Sequence, residues 1–396
     1  MIAEQTVWGT LTGIRPAKVA AKLLNSCKTP EETQVTLTHE YKVAPDRAQK
    51  ITQTAQKAIA LRKTLDPKDI ALYIGIPFCK TRCAYCSFVS NNVEKSFSLT
   101  APFTETLVAE LIEIAKLVDK FGLRVTSIYV GGGTPTALPY DNLEKILETT
   151  KKTIDFKNLR EYTVEAGRPD TITKENLELI KTYGASRICL NPQTMNDEVL
   201  AAIGRNHSSE HITKSAELIK KSNLELNMDI IAGLPTDTTE SFATTLDKVC
   251  ALDPENITVH TLALKKGSRI MEKNESIPSG EKVGEKLDYA SEKLTKEKYE
   301  PYYIYRQSYI SGGFENTGWS KPGKECIYNI CMMEELCTVL AVGGGGVTKF
   351  VSKDGSRIER EFNAKYPLEY INRPDKIEKK LKALNSYTEN FISEEE

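Results

Sequence analysis

The sequence predicts an α/β fold in which a parallel sheet carries helices on its outer side. Between residues 69 and 265, six apolar stretches alternate with stretches that have helical spacing, a rhythm typical of parallel sheets. The apolar stretches are continuous rather than alternating with polar residues, as expected for strands that are covered on both faces. The loops between these elements are short, as they are in strand–helix units.

The elements follow one another in a regular order. Apolar residues at helical spacing in "RPAKVAAKLLNSC" and "PDRAQKITQTAQKAIALRKTL" predict an N-terminal helical segment, residues 1–68. The predicted strands are "DIALYIGI", "VTSIYVGGG", "EYTVEA", "ASRICLNPQ", "LELNMDIIAGLP" and "ENITVHTLAL". The helices predicted between them are "TETLVAELIEIAKLVDKFG", "YDNLEKILETTKKTI", "KENLELIKTYG", "NDEVLAAIG", "SEHITKSAELIKKSN" and "TESFATTLDKVCAL".

The rhythm breaks after residue 265. A charged helix, a tyrosine-rich strand ("YEPYYIYRQSYI") and a glycine-rich strand ("TVLAVGGGGVTKFV") are predicted there. We expect residues 266–396 to form an appended α+β region that covers the substrate, and residues 69–265 to form the central domain.

Composition narrows the class of protein. The 396 residues carry a net charge of −1, and the basic residues are spread out, so we expect no nucleic-acid surface. We expect no membrane span, because the sequence contains no run of about 20 apolar residues, and no secretory signal at the N-terminus. Nine cysteines is an odd number, which favours thiols and metal ligation in a cytoplasmic protein over a disulfide framework.

Three cysteines stand close together directly after the first predicted strand. Cys79, Cys83 and Cys86 have the spacing Cys-x3-Cys-x2-Cys. Three thiolates can hold three irons of a [4Fe–4S] cluster and leave the fourth iron open to another ligand. The alternative, a structural zinc site, needs a fourth protein ligand, and none stands nearby in the sequence. We interpret the separate group Cys326, Cys331 and Cys337 as packed thiols.

Other polar residues also fall where predicted strands end. The run Gly131–Pro135, Glu165, Gln193, Asp229 and His260 lie at or near the carboxyl ends of successive strands. These ends share one edge of a parallel sheet, and that edge carries the active site. Glu165, Gln193, Arg205 and Asp229 could bind a ligand with amino, carboxylate and ribose groups. Each alone could also be structural: a turn, a satisfied core group or a helix end.

The stretch Cys79–Cys86 resembles the signature of the radical S-adenosylmethionine (SAM) superfamily. The segments "YIGIPFCKTRCAYC", "YVGGGTPTAL", "VEAGRPDTIT", "CLNPQTMNDEVLAAIGRNH" and "NMDIIAGLP" together resemble the oxygen-independent coproporphyrinogen III oxidase (HemN-like) family. "VEAGRPDTIT", "NPQTMND" and "KPGKECIYNICMMEE" look most like its HemZ branch, called coproporphyrinogen dehydrogenase. This resemblance implies a partial (β/α)6 TIM-like barrel of the radical SAM type.

The resemblance also implies the cofactors and the residues that bind them. It makes Cys79, Cys83 and Cys86 the ligands of a [4Fe–4S] cluster whose open iron binds SAM, and it gives catalytic roles to Tyr73 and Glu165. The implied SAM contacts are Tyr73, Tyr85, Gly132, Gly133, Thr134, Glu165, Gln193, Arg205, Asp229, Ile231 and Leu262.

The implied reaction is oxidative decarboxylation of coproporphyrinogen III propionates to vinyl groups, giving protoporphyrinogen IX in haem biosynthesis. It implies an electron donor such as flavodoxin or ferredoxin. Candidate basic groups for the substrate carboxylates are Lys265, Lys266, Arg306 and Lys321. The family's oxidases usually read "HIPFC", and here Gly75 stands in place of that histidine.

Two relatives of different function stay open as alternatives. One is an anaerobic haem-modifying radical SAM enzyme. The other is a HemW-type haem chaperone, whose group carries a His-Asn-x-x-Tyr-Trp motif. The nearest segment here is "ENTGWSK", with Glu315 in place of the histidine and Gly318 in place of the tyrosine.

Overall fold

Eleven strands of one mixed sheet organise the chain. The structure is a computed structural model that describes residues 7–264, 268–272, 277–307, 309–352, 355 and 357–392. The strands are β1 Asp69–Ile76, β2 Phe78–Cys79, β3 Asn91–Asn92, β4 Arg124–Gly132, β5 Glu161–Glu165, β6 Arg187–Gln193, β7 Glu225–Ala232, β8 Asn256–Thr261, β9 Glu300–Arg306, β10 Glu315–Ser320, β11 Thr338–Gly343, β12 Val347–Val351 and β13 Ile358–Phe362. Among the described residues, β2 and β3 form a separate two-stranded sheet.

The centre of the sheet is parallel and its flanks are antiparallel. The strand order is β13-β12-β11-β1-β4-β5-β6-β7-β8-β10-β9. The strands from β11 to β8 run parallel, whereas β12, β13, β10 and β9 pair antiparallel with their neighbours. Because β13 and β9 are the two edges of this order, the sheet is an open, partial barrel. The predicted fold class is confirmed.

Helices pack against the outside of the sheet and, at Tyr328, against Tyr73 and Tyr129 on its inner face. They are α1 Pro16–Asn25, α2 Pro30–His39, α3 Pro45–Arg62, α4 Phe97–Lys120, α5 Tyr140–Thr153, α6 Lys174–Thr182, α7 Asp197–Ala202, α8 Ser209–Lys221, α9 Thr239–Ala251, α10 Arg269–Glu272, α11 Gly280–Lys296, α12 Ile327–Glu334, α13 Pro367–Asn372 and α14 Pro374–Ile392. Several start with a proline, whose fixed φ suits the first helical position. Thr29 and Glu32 form a capping box at the start of α2. No helix of the described residues is both long and apolar enough to cross a membrane.

The two ends of the chain pack onto the central sheet. Helices α1 and α3 lie against β9, where Trp8, Leu37, Ile51 and Ile304 share one buried cluster. Sheet hydrogen bonding also joins the predicted central and C-terminal regions, because β10 pairs with β8 and β11 pairs with β1. The division into residues 1–68, 69–265 and 266–396 stays a prediction.

Two elements differ from the sequence prediction. Helix α4 begins at Phe97, rather than at Thr104, and passes through Pro102. The predicted glycine-rich strand is a pair of strands, β11 and β12, joined by a tight turn. Gly343 and Gly345 have φ values of 85° and 72° in that turn, a conformation that glycine adopts without steric cost.

Candidate active site

The cysteine loop folds back on the end of β1. Strand β2 contains Cys79 and pairs in parallel with β3 beyond the loop. The Cys79 carbonyl accepts the Val93 N–H at 2.9 Å, and the Cys83 carbonyl accepts the Cys86 N–H at 3.2 Å. Arg168 anchors the same loop from below by donating to the Thr81 carbonyl at 3.3 Å. The loop thus holds the three thiols at one end of the sheet.

Nearby guanidinium groups make the three thiols unequal. Burial raises the pKa of Cys79, to which the Thr134 hydroxyl donates at 3.6 Å. Burial and the neighbouring thiols raise the pKa of Cys86 to about 11. Burial also opposes ionisation of Cys83, but Arg205 and Arg168 outweigh it and lower the pKa of that thiol. Positive charge beside the loop therefore favours a thiolate at Cys83.

Glycines bring the end of β4 close to the cysteine loop. The Gly133 N–H donates to the Ile76 carbonyl at 2.9 Å, and a Cβ at Gly133 would lie 2.4 Å from the Phe78 carbonyl oxygen. Gly132 has a φ of 110°. A side chain at Gly131 would meet the Glu165 carboxyl within about 3.0 Å. The run needs glycine for close approach and for its backbone conformation.

Glu165 is a half-buried carboxyl at the end of β5. Tyr129 donates its hydroxyl hydrogen to Glu165 Oε1 at 2.6 Å. Burial raises the pKa of Glu165 to about 7, with the Asp229 charge adding to the rise and the Tyr129 hydrogen bond opposing it. This carboxyl changes charge near neutral pH, where it could bind an ammonium group in its ionised form.

Several buried polar atoms in β6 and in the nearby Arg205 side chain have no hydrogen-bond partner among the described residues. They are Asn191 Oδ1, Gln193 Oε1 and Arg205 Nε. Gln193 also has a φ of 68°, an uncommon conformation for a residue with a side chain and one that concentrates at ligand sites. Unpaired buried polar groups are costly, so a polar ligand is the expected partner for these atoms.

One cavity of about 420 Å³ joins almost all of the predicted site residues. It is lined by Cys79, Cys83, Tyr85, Cys86, Gly132, Gly133, Thr134, Glu165, Gln193, Arg205, Asp229, Ile231, His260 and Leu262. Tyr73 is not part of this lining. Its ring stacks on Tyr129 and Tyr328, with centroids 6.3 and 6.1 Å away, one layer below the glycines.

The cavity also has walls that sequence reasoning did not assign. Tyr129, Arg168 and Asn191 lie in or shortly after β4, β5 and β6, whose ends were predicted to form the site, so the sequence held a usable signal for them. Tyr303, Tyr305 and Asn316 come from β9 and β10. The tyrosine-rich segment predicted a strand but not its place in the sheet, because its pairing with the barrel is a contact between residues far apart in the sequence.

The basic residues expected at the barrel mouth do not gather there. Lys321 follows Ser320, which pairs with the first residue of β8, at the end of the barrel opposite the cavity. The Lys321 ammonium forms an ion pair with Asp253 at 2.8 Å. The Arg306 guanidinium lies over the Trp8 ring at 5.1 Å. Lys265 and Lys266 lie outside the described residues. The structure thus gives Lys321 and Arg306 structural partners instead of a place in the cavity.

The donor set of the cavity fits a [4Fe–4S] cluster with SAM. Three thiols suit three irons, and the unpaired polar atoms suit a ligand with amino and hydroxyl groups. In the described part of the chain, no three cysteine, histidine or acidic side chains are placed to hold one metal ion. In a four-iron cluster each thiolate binds a different iron, so this single-ion requirement does not apply.

Comparison with known proteins identifies relatives that agree with one another in family and in fold. Residues 73–249 match the radical SAM superfamily model. The chain is 36% identical over 374 residues to the oxygen-independent coproporphyrinogen-III oxidase-like protein HemZ of Bacillus subtilis, covering 92% of this chain and 74% of that protein. It is 27% identical over 305 residues to the heme chaperone HemW of Haemophilus influenzae, covering 76% of each. The structure of coproporphyrinogen III oxidase (HemN) from Escherichia coli aligns with a TM-score of 0.63 at 21% identity, covering 81% of this chain and 72% of that one.

The family model and the shared fold agree with the class that the cysteine loop and the open sheet indicated, a radical SAM enzyme. Such enzymes use a [4Fe–4S] cluster and SAM. The similarity to HemZ extends over nearly the whole chain and resolves the class further. This chain belongs to the oxygen-independent coproporphyrinogen III oxidase family, on its HemZ-like branch.

Proposed function

We propose that this chain decarboxylates propionate side chains of coproporphyrinogen III without oxygen. The observation that carries the proposal is the single cavity that three thiols share with unpaired polar groups, in a chain similar to HemZ. Each propionate loses a hydrogen atom, carbon dioxide and one electron, and becomes a vinyl group. Two such events convert the substrate to protoporphyrinogen IX.

Each part of the cavity has a separate task in this proposal. Cys79, Cys83 and Cys86 hold the cluster. Glu165, Gln193, Arg205 and Asp229 orient SAM, with the backbone of Gly132 and Gly133 against its polar end and Ile231 and Leu262 against its adenine. When bound together, the cluster and SAM supply a carbon-centred radical that can abstract hydrogen. Tyr73 supports Tyr129, and Tyr129 in turn holds the Glu165 carboxyl.

The test is an anaerobic incubation with SAM, dithionite and coproporphyrinogen III, followed by product identification by mass. We expect loss of carbon dioxide from two propionates. SAM cleavage without a vinyl product would refute the substrate assignment, and a modified haem in a parallel incubation would support the haem-modifying alternative. The Cys79→Ala/Cys83→Ala/Cys86→Ala variant should purify without iron. Retention of about four irons per chain would contradict the ligand assignment.

A specific observation bears on the haem chaperone. Glu315, which replaces the histidine of the chaperone motif, is buried and bonds Lys50 at 3.1 Å and Arg47 at 3.2 Å. Its carboxylate is therefore held on the side of α3, and its partners lower its pKa although burial opposes them. This disfavours a haem ligand at that position. Stoichiometric haem binding without turnover of coproporphyrinogen would favour the chaperone instead.

The setting of the reaction is also part of the proposal. All nine cysteines are free thiols, which suits a reducing compartment such as the cytoplasm. The electron would come from a small donor such as a flavodoxin or ferredoxin. Activity with a purified flavodoxin system in place of dithionite would test this donor.

A further inference from the structure

The half of the cavity that lies away from the cysteine loop is walled by β8, β10 and β9. Asn316 pairs with Tyr305, and Thr317 pairs with Val259, so that Asn316 falls next to His260. Residues opposite one another in neighbouring strands point to the same face of a sheet. His260, Asn316 and Tyr305 accordingly line the cavity together.

Asn316 presents an unpaired donor to this compartment. It is fully buried, and its Oδ1 accepts the Thr261 N–H at 2.8 Å. Because a backbone N–H can only donate, this bond fixes the amide with its nitrogen turned the other way. Asn316 Nδ2 is buried and has no partner among the described residues. A buried amide nitrogen in this position calls for an acceptor on a ligand.

Tyr305 supplies a second donor, whereas its neighbour Tyr303 does not. The Tyr303 hydroxyl is 3.2 Å from Thr258 Oγ1 and is thereby satisfied. Its ring lies flat over Gly318, where an added Cβ would be 1.9 Å from a ring carbon. Tyr303 thus forms an apolar floor. Tyr305 stacks on it with centroids 6.3 Å apart, and its hydroxyl makes no hydrogen bond among the described residues.

His260 lies beside these donors and close to the Asp229 carboxylate. Asp229 is on β7, and β8 lies between β7 and β10 in the sheet. The His260 Nε2 atom is 3.5 Å from Asp229 Oδ2, so the imidazole is oriented by Asp229 on one side and faces the compartment on the other.

We propose that Asn316 and Tyr305, with His260 beside them, form a subsite for the carboxylate of the substrate propionate that enters the cavity. Two N–H or O–H donors over an apolar floor fit the two oxygens and the short methylene stem of such an arm. This inference rests on the proposed function, because it assigns one arm of that substrate. It makes the three residues determinants of specificity for a carboxylate over an ester or an alkyl group.

The test measures binding rather than turnover. The protein with its cluster, in the presence of SAM and without reductant, is titrated with coproporphyrin III and with its tetramethyl ester, following porphyrin fluorescence. We expect the wild type to prefer the acid, and Asn316→Leu and Tyr305→Phe each to weaken acid binding about tenfold while ester binding is unchanged. Thr317→Val, a matched change on the other face of β10, should behave as wild type.

Four other results would contradict the inference, and each points to a different explanation. Equal acid binding by Asn316→Leu, Tyr305→Phe and wild type would show that the donors do not contact the carboxylate. Equal losses for acid and ester would indicate a purely structural role. Loss of SAM binding, measured separately by equilibrium dialysis, would assign the compartment to SAM. If the wild type binds neither porphyrin, the proposed function fails together with this subsite.

Discussion

Replacing Glu165 by glutamine tests the electrostatic description of the cavity. The folded protein keeps a proton on Glu165 up to a pH of about 7, whereas a glutamate in the unfolded chain loses it near 4.5. The folded state therefore binds more protons in this window, and stability falls as pH rises through it. A pKa raised from 4.5 to about 7, at about 1.4 kcal/mol per pKa unit, corresponds to roughly 3 kcal/mol.

Water in the cavity screens part of that cost, because Glu165 is only half buried, so we expect about 2 kcal/mol. Glutamine has no proton to lose. The free energy of unfolding of Glu165→Gln should therefore rise relative to wild type by about 2 kcal/mol between pH 5 and pH 8, measured by urea denaturation under anaerobic conditions. A difference between the two proteins that stays constant over this range would refute the reasoning.

Glu334 offers a matched control. Burial raises its pKa to about 7 as well, but this residue lies at the end of α12 and outside the lining of the cavity. Glu334→Gln should show the same gain in stability at high pH and leave SAM binding unchanged. Glu165→Gln should weaken SAM binding, because it removes the carboxylate proposed for the ammonium group.

Three further predictions follow from individual contacts. Tyr129→Phe removes a hydrogen bond that lowers the pKa of Glu165, so the pH at which SAM binding is half lost should rise by about one unit; an unchanged midpoint in a pH series of binding titrations would contradict this. Gly75→Ala would place a Cβ 2.7 Å from the Gly344 carbonyl oxygen, and should cost about 1–3 kcal/mol in a urea titration, unlike Gly13→Ala, where the space is open. Lys380→Met leaves the buried Glu110 carboxylate without its cation, which should cost about 3–5 kcal/mol; adding Glu110→Gln should restore part of that loss, and no restoration would argue against the ion pair.

The half of the site built from strand ends could be predicted from the sequence. Parallel strands bring their carboxyl ends to one edge, so Cys79, Gly133, Glu165, Gln193 and Asp229 follow from the order of the strands alone. The depth of a residue within the barrel is harder to predict. Tyr73 pairs with Tyr129, but its ring stacks against the rings of Tyr129 and Tyr328 and does not line the cavity.

The other half required the structure. Tyr305 and Asn316 are separated from β8 by long stretches of sequence, and they reach the cavity because β10 pairs antiparallel with β8 and β9 with β10. The local pattern of β9 and β10 indicates strands, but it does not indicate which edge of the sheet they join. Lys321 illustrates the consequence. Because β10 runs antiparallel to β8, it carries Lys321 to the end of the barrel where β8 begins, away from the cavity.

The glycine at position 75 is explained by the strand beside it. Gly75 pairs with Gly343 on one side and Gly131 on the other, and a Cβ at Gly75 would lie 2.7 Å from the Gly344 carbonyl oxygen. The turn from β11 to β12 thus occupies the space into which a side chain at 75 would extend, so an imidazole could not be accommodated there without moving that turn. The imidazole that lines the described cavity is His260, on the far wall of β8. Among the residues that line the described cavity, His260 is therefore the histidine available to the proposed reaction, and it lies on the wall that the acid and ester titrations examine.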